Sequence, residues 1–95
     1  MKGYVVCVYK SISSEEKLIE YAVKARAAVE KHKGKFLIRG GSFTTNEGNK
    51  SPRTVVIEFS SYDMANLFYN SKEYQEAHDV LKGHVVRHHQ TIEGS

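Results

Sequence analysis

Five histidines, one cysteine, six tyrosines and one Arg-Gly-Gly step hold the reactive side chains of this 95-residue chain. His88 and His89 are adjacent on a strand and point to opposite faces, so they cannot share a ligand. His84 and His88 share a face but stand about 13 Å apart at the strand rise, too far for one ion. His32 and His78 lie alone on helical stripes. No intrinsic metal site and no cofactor are expected. One inward histidine, His88 or His89 according to register, is placed to carry a proton near neutrality. Cys7 sits mid-strand with no histidine or basic residue beside it, which reads as a buried, inert thiol. The stretch "GKFLIRGGS" puts Arg39 at the end of an apolar run, followed by Gly40 and Gly41. Two readings of Arg39 stand open: a cross-strand ion pair with Glu58, or a bidentate anchor for a carboxylate or enolate oxygen. The glycines mark a bulge or a close backbone approach. Tyr69 and Tyr74 flank the Asn70-Ser71 break between two helical segments; Tyr69 fits a pocket rim as well as the core. No phosphate loop, dinucleotide fingerprint or Gly-x-Ser-x-Gly elbow occurs.

The elements that must position these groups are readable from their periods. Residues 3–9 alternate as a strand, with Tyr4, Val6 and Val8 on one face and Val5, Cys7 and Tyr9 on the other. Ser13 or Ser14 caps a helix whose inward stripe runs through Leu18, Tyr21, Ala22, Ala25, Ala28, Val29 and His32, with Gly34 closing it. Residues 35–43 and Arg53 to Phe59 form the next two strands, joined by a long polar loop. On the second strand, simple alternation gives Arg39 the parity of Leu37, against Phe36 and Ile38. Ser60 or Ser61 starts a short helix. Ser71 caps a further one with Tyr74, Ala77, His78 and Leu81 inward, and Gly83 ends it. His84 to Ile92 is the last strand.

This order predicts an α+β, ferredoxin-like βαββαβ fold filling residues 1–95 as one domain, its antiparallel sheet covered by helices on one face. The first and third strands carry Val, Ile or Tyr on both sides. A lone copy would leave an apolar sheet face in water, so a homodimer through that face is expected.

Apolar residues make up 40% and charged residues 26%, with a net charge of +3 and one cysteine. The charges are interspersed, so neither a nucleic-acid footprint nor a membrane partner is expected. No apolar run reaches the roughly 20 residues that span a bilayer. A strand follows Met1-Lys2 at once, without a cleavage region, and with the lone thiol this fits a cytoplasmic setting.

The segments "KGKFLIRGG", "NEGNKSPRTVVIEFSS", "NLFYNSKEYQEA" and the closing "IEG" together resemble the domain-of-unknown-function family numbered 1330, of the dimeric α/β-barrel superfamily. The resemblance runs from the first strand to Gly94. It implies a homodimer whose sheets form a barrel, with a pocket beside each sheet. Superfamily relatives include cofactor-independent monooxygenases, muconolactone isomerases, haem-degrading enzymes and dye-decolourising peroxidases. The family has no established reaction, so the resemblance hands down no catalytic residue, only recurring positions. Those are Arg39, Gly40, Gly41, Glu47, Gly48, Arg53, Glu58, Phe59, Tyr69, Ser71, Glu73 and Tyr74. The sequence departs from the family pattern at Phe68, where tryptophan is usual, at Lys82, where arginine is common, and in its histidine-rich last strand. The expectation is a small-molecule site for an organic anion or aromatic, with Arg39, Arg53, Tyr69, Tyr74, His88 and His89 as its candidate residues. Cofactor-independent oxygenase- or isomerase-like chemistry is one outcome, and a non-catalytic sensor or structural dimer the other.

Overall fold

A computed structural model describes residues 1–95. Its elements are β1 (Gly3–Ile12), α1 (Glu15–Lys31), β2 (Lys35–Arg39), β3 (Arg53–Phe59), α2 (Tyr62–Asn70), α3 (Lys72–Leu81) and β4 (Val85–Glu93). The strands make one antiparallel sheet in the order β2-β3-β1-β4. This is the expected ferredoxin-like α+β arrangement.

Capping chemistry sets the helix starts. Ser14, not Ser13, caps α1: its Oγ accepts from the Lys17 N–H at 3.1 Å. Ser13 instead ties β1 to the start of β4, its N–H and its hydroxyl both donating to the His84 carbonyl. Ser61 and Ser71 accept from the Met64 and Tyr74 N–H groups, each at 3.1 Å. Ser71 also donates to the Phe68 carbonyl at 2.7 Å, closing α2 as it opens α3. Such caps are each worth about 1 kcal/mol, and the double use of Ser71 fixes the corner that carries Tyr69 and Tyr74.

The inner sheet face supplies Val5, Cys7, Tyr9, Ile57 and Phe59 to the core, against Leu18, Ala25, Ala28 and Val29 of α1 and Ala65, Phe68, Tyr74, Ala77 and Leu81 of α2 and α3. Small residues on the helices let α1 and α3 sit close to each other, while α2 comes nearest the sheet. Gly3 serves the same purpose at the other end: a Cβ there would stand 2.4 Å from the Ser61 carbonyl oxygen, so β1 meets the start of α2 only because the side chain is absent.

β2 departs from expectation. It ends at Arg39, not at residue 43, and its register with β3 shifts between Phe36 and Ile38. Phe36 pairs with Ile57 on the inner face, Ile38 with Val56 on the outer face, and Arg39 with Val55 on the inner face again. Leu37 is the extra residue of the bulge, and one extra residue reverses parity. Arg39 therefore shares a face with Phe36, its guanidinium carbon 4.7 Å from that ring's centre. It cannot pair with Glu58, which lies on the outer face between Lys2 Nζ at 2.9 Å and the Tyr4 hydroxyl at 3.3 Å.

Candidate functional site

The side chains that matter converge between α1 and the inner sheet face, around a cavity of about 440 Å³. Its walls are apolar, chiefly Val5, Val29, Phe36, Val55, Ile57 and Phe68, and no aspartate or glutamate lines it. Arg26, Arg39, Arg53 and Arg87 do. Arg26 is neutralised by Glu30, one turn on along α1. The other three have no carboxylate partner within ion-pair distance.

Arg87 is the deep end of the site. It follows the parity of β4 inward, paired with Tyr9 on β1. Its Nη1 donates to the Tyr9 hydroxyl at 3.0 Å and the Tyr21 hydroxyl at 3.3 Å, and its Nη2 donates to the Tyr74 hydroxyl at 2.9 Å. The same Nη1 stands 3.5 Å from the Cys7 Sγ. The Tyr21 and Tyr74 hydroxyls bond each other at 2.9 Å, and Tyr74 meets His89 Nε2 at 3.3 Å. A guanidinium is thus held by neutral hydroxyls from three elements, and no anion balances it. Burial works against its charge, but the surrounding phenols raise its pKa above the ordinary arginine value and it stays protonated.

Its neighbours are held neutral. Burial first, and then Tyr21, push the Tyr9 hydroxyl up to about 12, and the same two causes push Tyr74 further up. Burial raises the Cys7 thiol although Arg87 opposes the rise. Burial and then Arg87 push His89 down to about 3. Tyr9, Tyr74, Cys7 and His89 therefore all stay uncharged near neutral pH. This deep end of the site offers one fixed cation, Arg87, ringed by tyrosine hydroxyls.

The low pKa of His89 has a consequence for stability. The unfolded chain's imidazole takes a proton near its ordinary value of 6.5, whereas the folded one resists until about 3. Between those values the unfolded state binds more protons, so stability falls as pH falls; above roughly pH 6.5 this group contributes no slope. At 1.36 kcal/mol per unit, the expected loss at pH 5 is about 2 kcal/mol. Urea midpoints measured from pH 7.5 to 5 should show it, and His89→Phe should flatten that slope.

The remaining candidate residues divide. Tyr74 is buried and reaches the cavity by its hydroxyl. Arg39 and Arg53 line the side nearest β2. The Arg53 Nε is buried without a hydrogen-bond partner. Tyr69 stacks on Tyr74 and His89, its ring centre 5.3 and 5.0 Å from theirs, and lines a second, more open cavity of about 550 Å³ between α3 and β4. His88 pairs with Val8 on the outer sheet face and reaches Gln90 at 2.8 Å, so it points away from the main cavity while His89 points inward. Arg87 and His89 line both cavities and form the wall between them. Nowhere do three histidine, cysteine or carboxylate side chains gather in a metal-binding group, and no helix is long and apolar enough to cross a membrane.

A family model described as domain of unknown function DUF1330 matches residues 2–95. The chain belongs to that family. No curated protein matches it. Among solved structures, this DUF1330 chain is similar to a protein of unknown function from Rhodopseudomonas palustris, with 12% identity and a TM-score of 0.78 over 99% of this chain and 82% of that one. It is also similar to a dimeric, ferredoxin-like protein of unknown function from Bacteroides fragilis, with 16% identity and a TM-score of 0.58 over 98% and 96%. A third neighbour, from Caulobacter crescentus, carries the provisional name antibiotic biosynthesis monooxygenase, with 12% identity and a TM-score of 0.58 over 99% and 89%. These likenesses establish the ferredoxin-like fold.

Proposed function

We propose that this DUF1330 protein is a homodimer that binds a small organic anion with a flat apolar body, its anionic oxygen seated on Arg87 among the hydroxyls of Tyr9, Tyr21 and Tyr74. The observation that carries the reading is a half-buried arginine in an apolar-walled cavity, whose partners are neutral phenols and a thiol. A charge drawn partly out of water without an opposite charge is costly, and an anionic ligand supplies the missing partner. Charge-assisted hydrogen bonds in a dry site are strong, and the apolar walls favour an aromatic or extended body over a small inorganic ion.

Such a cradle stabilises an oxyanion, and an enolate held this way is the common intermediate of isomerase-like and cofactor-independent oxygenase-like reactions. The provisional monooxygenase name of the Caulobacter crescentus neighbour agrees with that chemistry. A non-catalytic carrier or sensor is favoured by a different observation: His89, the histidine that lines the main cavity beside Arg87, is pushed down to about 3 and makes a weak base. For the dimer, the support is the outer sheet face, where Val6, Val8, Val56, Val86 and Ile92 remain in contact with solvent, together with the dimeric neighbour from Bacteroides fragilis.

The test is a pair of probes, 2-naphthoate and the isosteric neutral 2-naphthamide, titrated by calorimetry. Naphthoate is expected to bind at least about tenfold more tightly, because only it gives the guanidinium a charged acceptor. Equal affinities, or no naphthoate binding at millimolar concentration, would sink the reading.

A further inference from the structure

Two more arginines in the same cavity lack partners, and the sheet register fixes where they stand. Arg53 and Arg87 pair with the same residue, Tyr9, from opposite sides of β1. Their Cα atoms are therefore two strand spacings apart, about 10 Å. Arg39 pairs with Val55, two residues along β3 from Arg53. Diagonal neighbours of this kind on one sheet face lie about 7–8 Å apart at the side-chain base, within reach for long side chains. Arg39 and Arg53 thus make a pair of guanidinium forks on the β2 side of the cavity, separated from Arg87 by Val55 of β3 and by Cys7 and Tyr9 of β1.

The backbone is shaped to hold the second fork. Gly40 lies at φ +74 with its N–H donating to the Thr54 carbonyl at 2.9 Å, and a Cβ there would stand 2.7 Å from Arg53 Nη1. The Arg53 guanidinium occupies the space a side chain would take. Its Nε is buried and unbonded, and the Arg39 guanidinium is spread over the Phe36 ring with no acid near it. The Arg53 Nε is thus left without a partner inside the protein, while Arg39 stands exposed at the cavity edge, free of any acid.

From this arrangement we infer that Arg39 and Arg53 form a second anion subsite, and that the ligand is a rigid apolar dianion, such as an aromatic dicarboxylate or carboxylate-phenolate. One end is read by Arg87 and the other by the Arg39–Arg53 pair. The inference rests on the anion reading of the Arg87 end. It adds a ligand class, two acidic groups across a flat body, and a reason for the Arg-Gly step: the arginine supplies one fork and the glycine makes room for the other.

The experiment compares three diacids of increasing length, benzene-1,4-, naphthalene-2,6- and biphenyl-4,4′-dicarboxylate, each against its own monoacid. At least one diacid is expected to bind about tenfold or more tightly than its monoacid. Arg53→Met and Arg39→Met should each collapse that preference, while Arg53→Lys, which keeps the charge but loses the fork, should retain part of it. If no diacid outperforms its monoacid, the second subsite is overturned, and the Arg87 reading survives provided that naphthoate still beats naphthamide. If Arg53→Met and Arg39→Met weaken monoacid and diacid by the same factor, the two-ended arrangement is likewise overturned. Failure of every monoacid and diacid to bind removes both readings together. Should thermal melting show that Arg53→Met does not fold, Arg39→Met and Arg53→Lys decide the question by the same ratio.

Discussion

Arg87→Met is expected to weaken naphthoate binding by about a hundredfold, the scale of a lost charge-assisted pair, while leaving the protein as stable as before to within about 1 kcal/mol, or more stable. The two effects have opposite signs because the guanidinium serves the ligand and not the fold. In the free protein it is half-buried against Tyr9, Tyr21, Tyr74 and Cys7, whose hydroxyls offset its desolvation but supply no counter-ion. Methionine fills a similar volume, adapts to an irregular gap and carries no charge. The hydroxyls left behind are not stranded together, since Tyr21 and Tyr74 keep their 2.9 Å bond and Tyr74 keeps His89. Tyr9 loses its 3.0 Å bond from Arg87 and keeps only the weak Cys7 thiol beside it, a cost of about 1 kcal/mol against the relief of an unpaired charge. Urea denaturation and naphthoate titration on one preparation separate the two effects. A loss of several kcal/mol with binding intact would make Arg87 a structural clasp and end the ligand reading.

How far the site was legible follows from which contacts are local. The periods of β1, α1 and β3 and the serine caps are written in neighbouring residues, and these elements form as expected. The β2 bulge is not local information. "KFLIR" reads as plain alternation, and only its pairing with β3 reveals that Leu37 is extra and that Arg39 faces inward with Phe36. The tyrosine cluster is less local still: Tyr9, Tyr21, Tyr74 and Arg87 come from β1, α1, α3 and β4 and meet only in the folded chain. Arg87 was missed because the histidines beside it drew the chemistry to themselves. A signal was available. Whichever face takes His89 also takes Arg87, two residues earlier, so an inward His89 implies an inward-facing arginine in a chain with no obvious acid to meet it.

The outer sheet face yields the other large effect: Val56→Glu and Val6→Glu are each expected to convert a dimer into a monomer at micromolar concentration. Val6 and Val56 are cross-strand partners on the two central strands, flanked by Val8 and by the half-exposed Ile38 and Ile92. This is the middle of the only large sheet surface that no helix covers. A two-fold interface is self-complementary, so one substitution places two carboxylates in it, one from each copy. Burying unpaired carboxylates costs several kcal/mol each, enough to shift a dissociation constant by three orders of magnitude or more. The folded protomer should tolerate the change, because both side chains face away from its own core. Leu67→Glu, at an exposed position on α2, is the matching control and should leave assembly unchanged. Sedimentation velocity across a concentration series reads all three variants. A parent that sediments as a monomer, or a Val56→Glu protein that remains dimeric, would show that the face is covered by something other than a second copy.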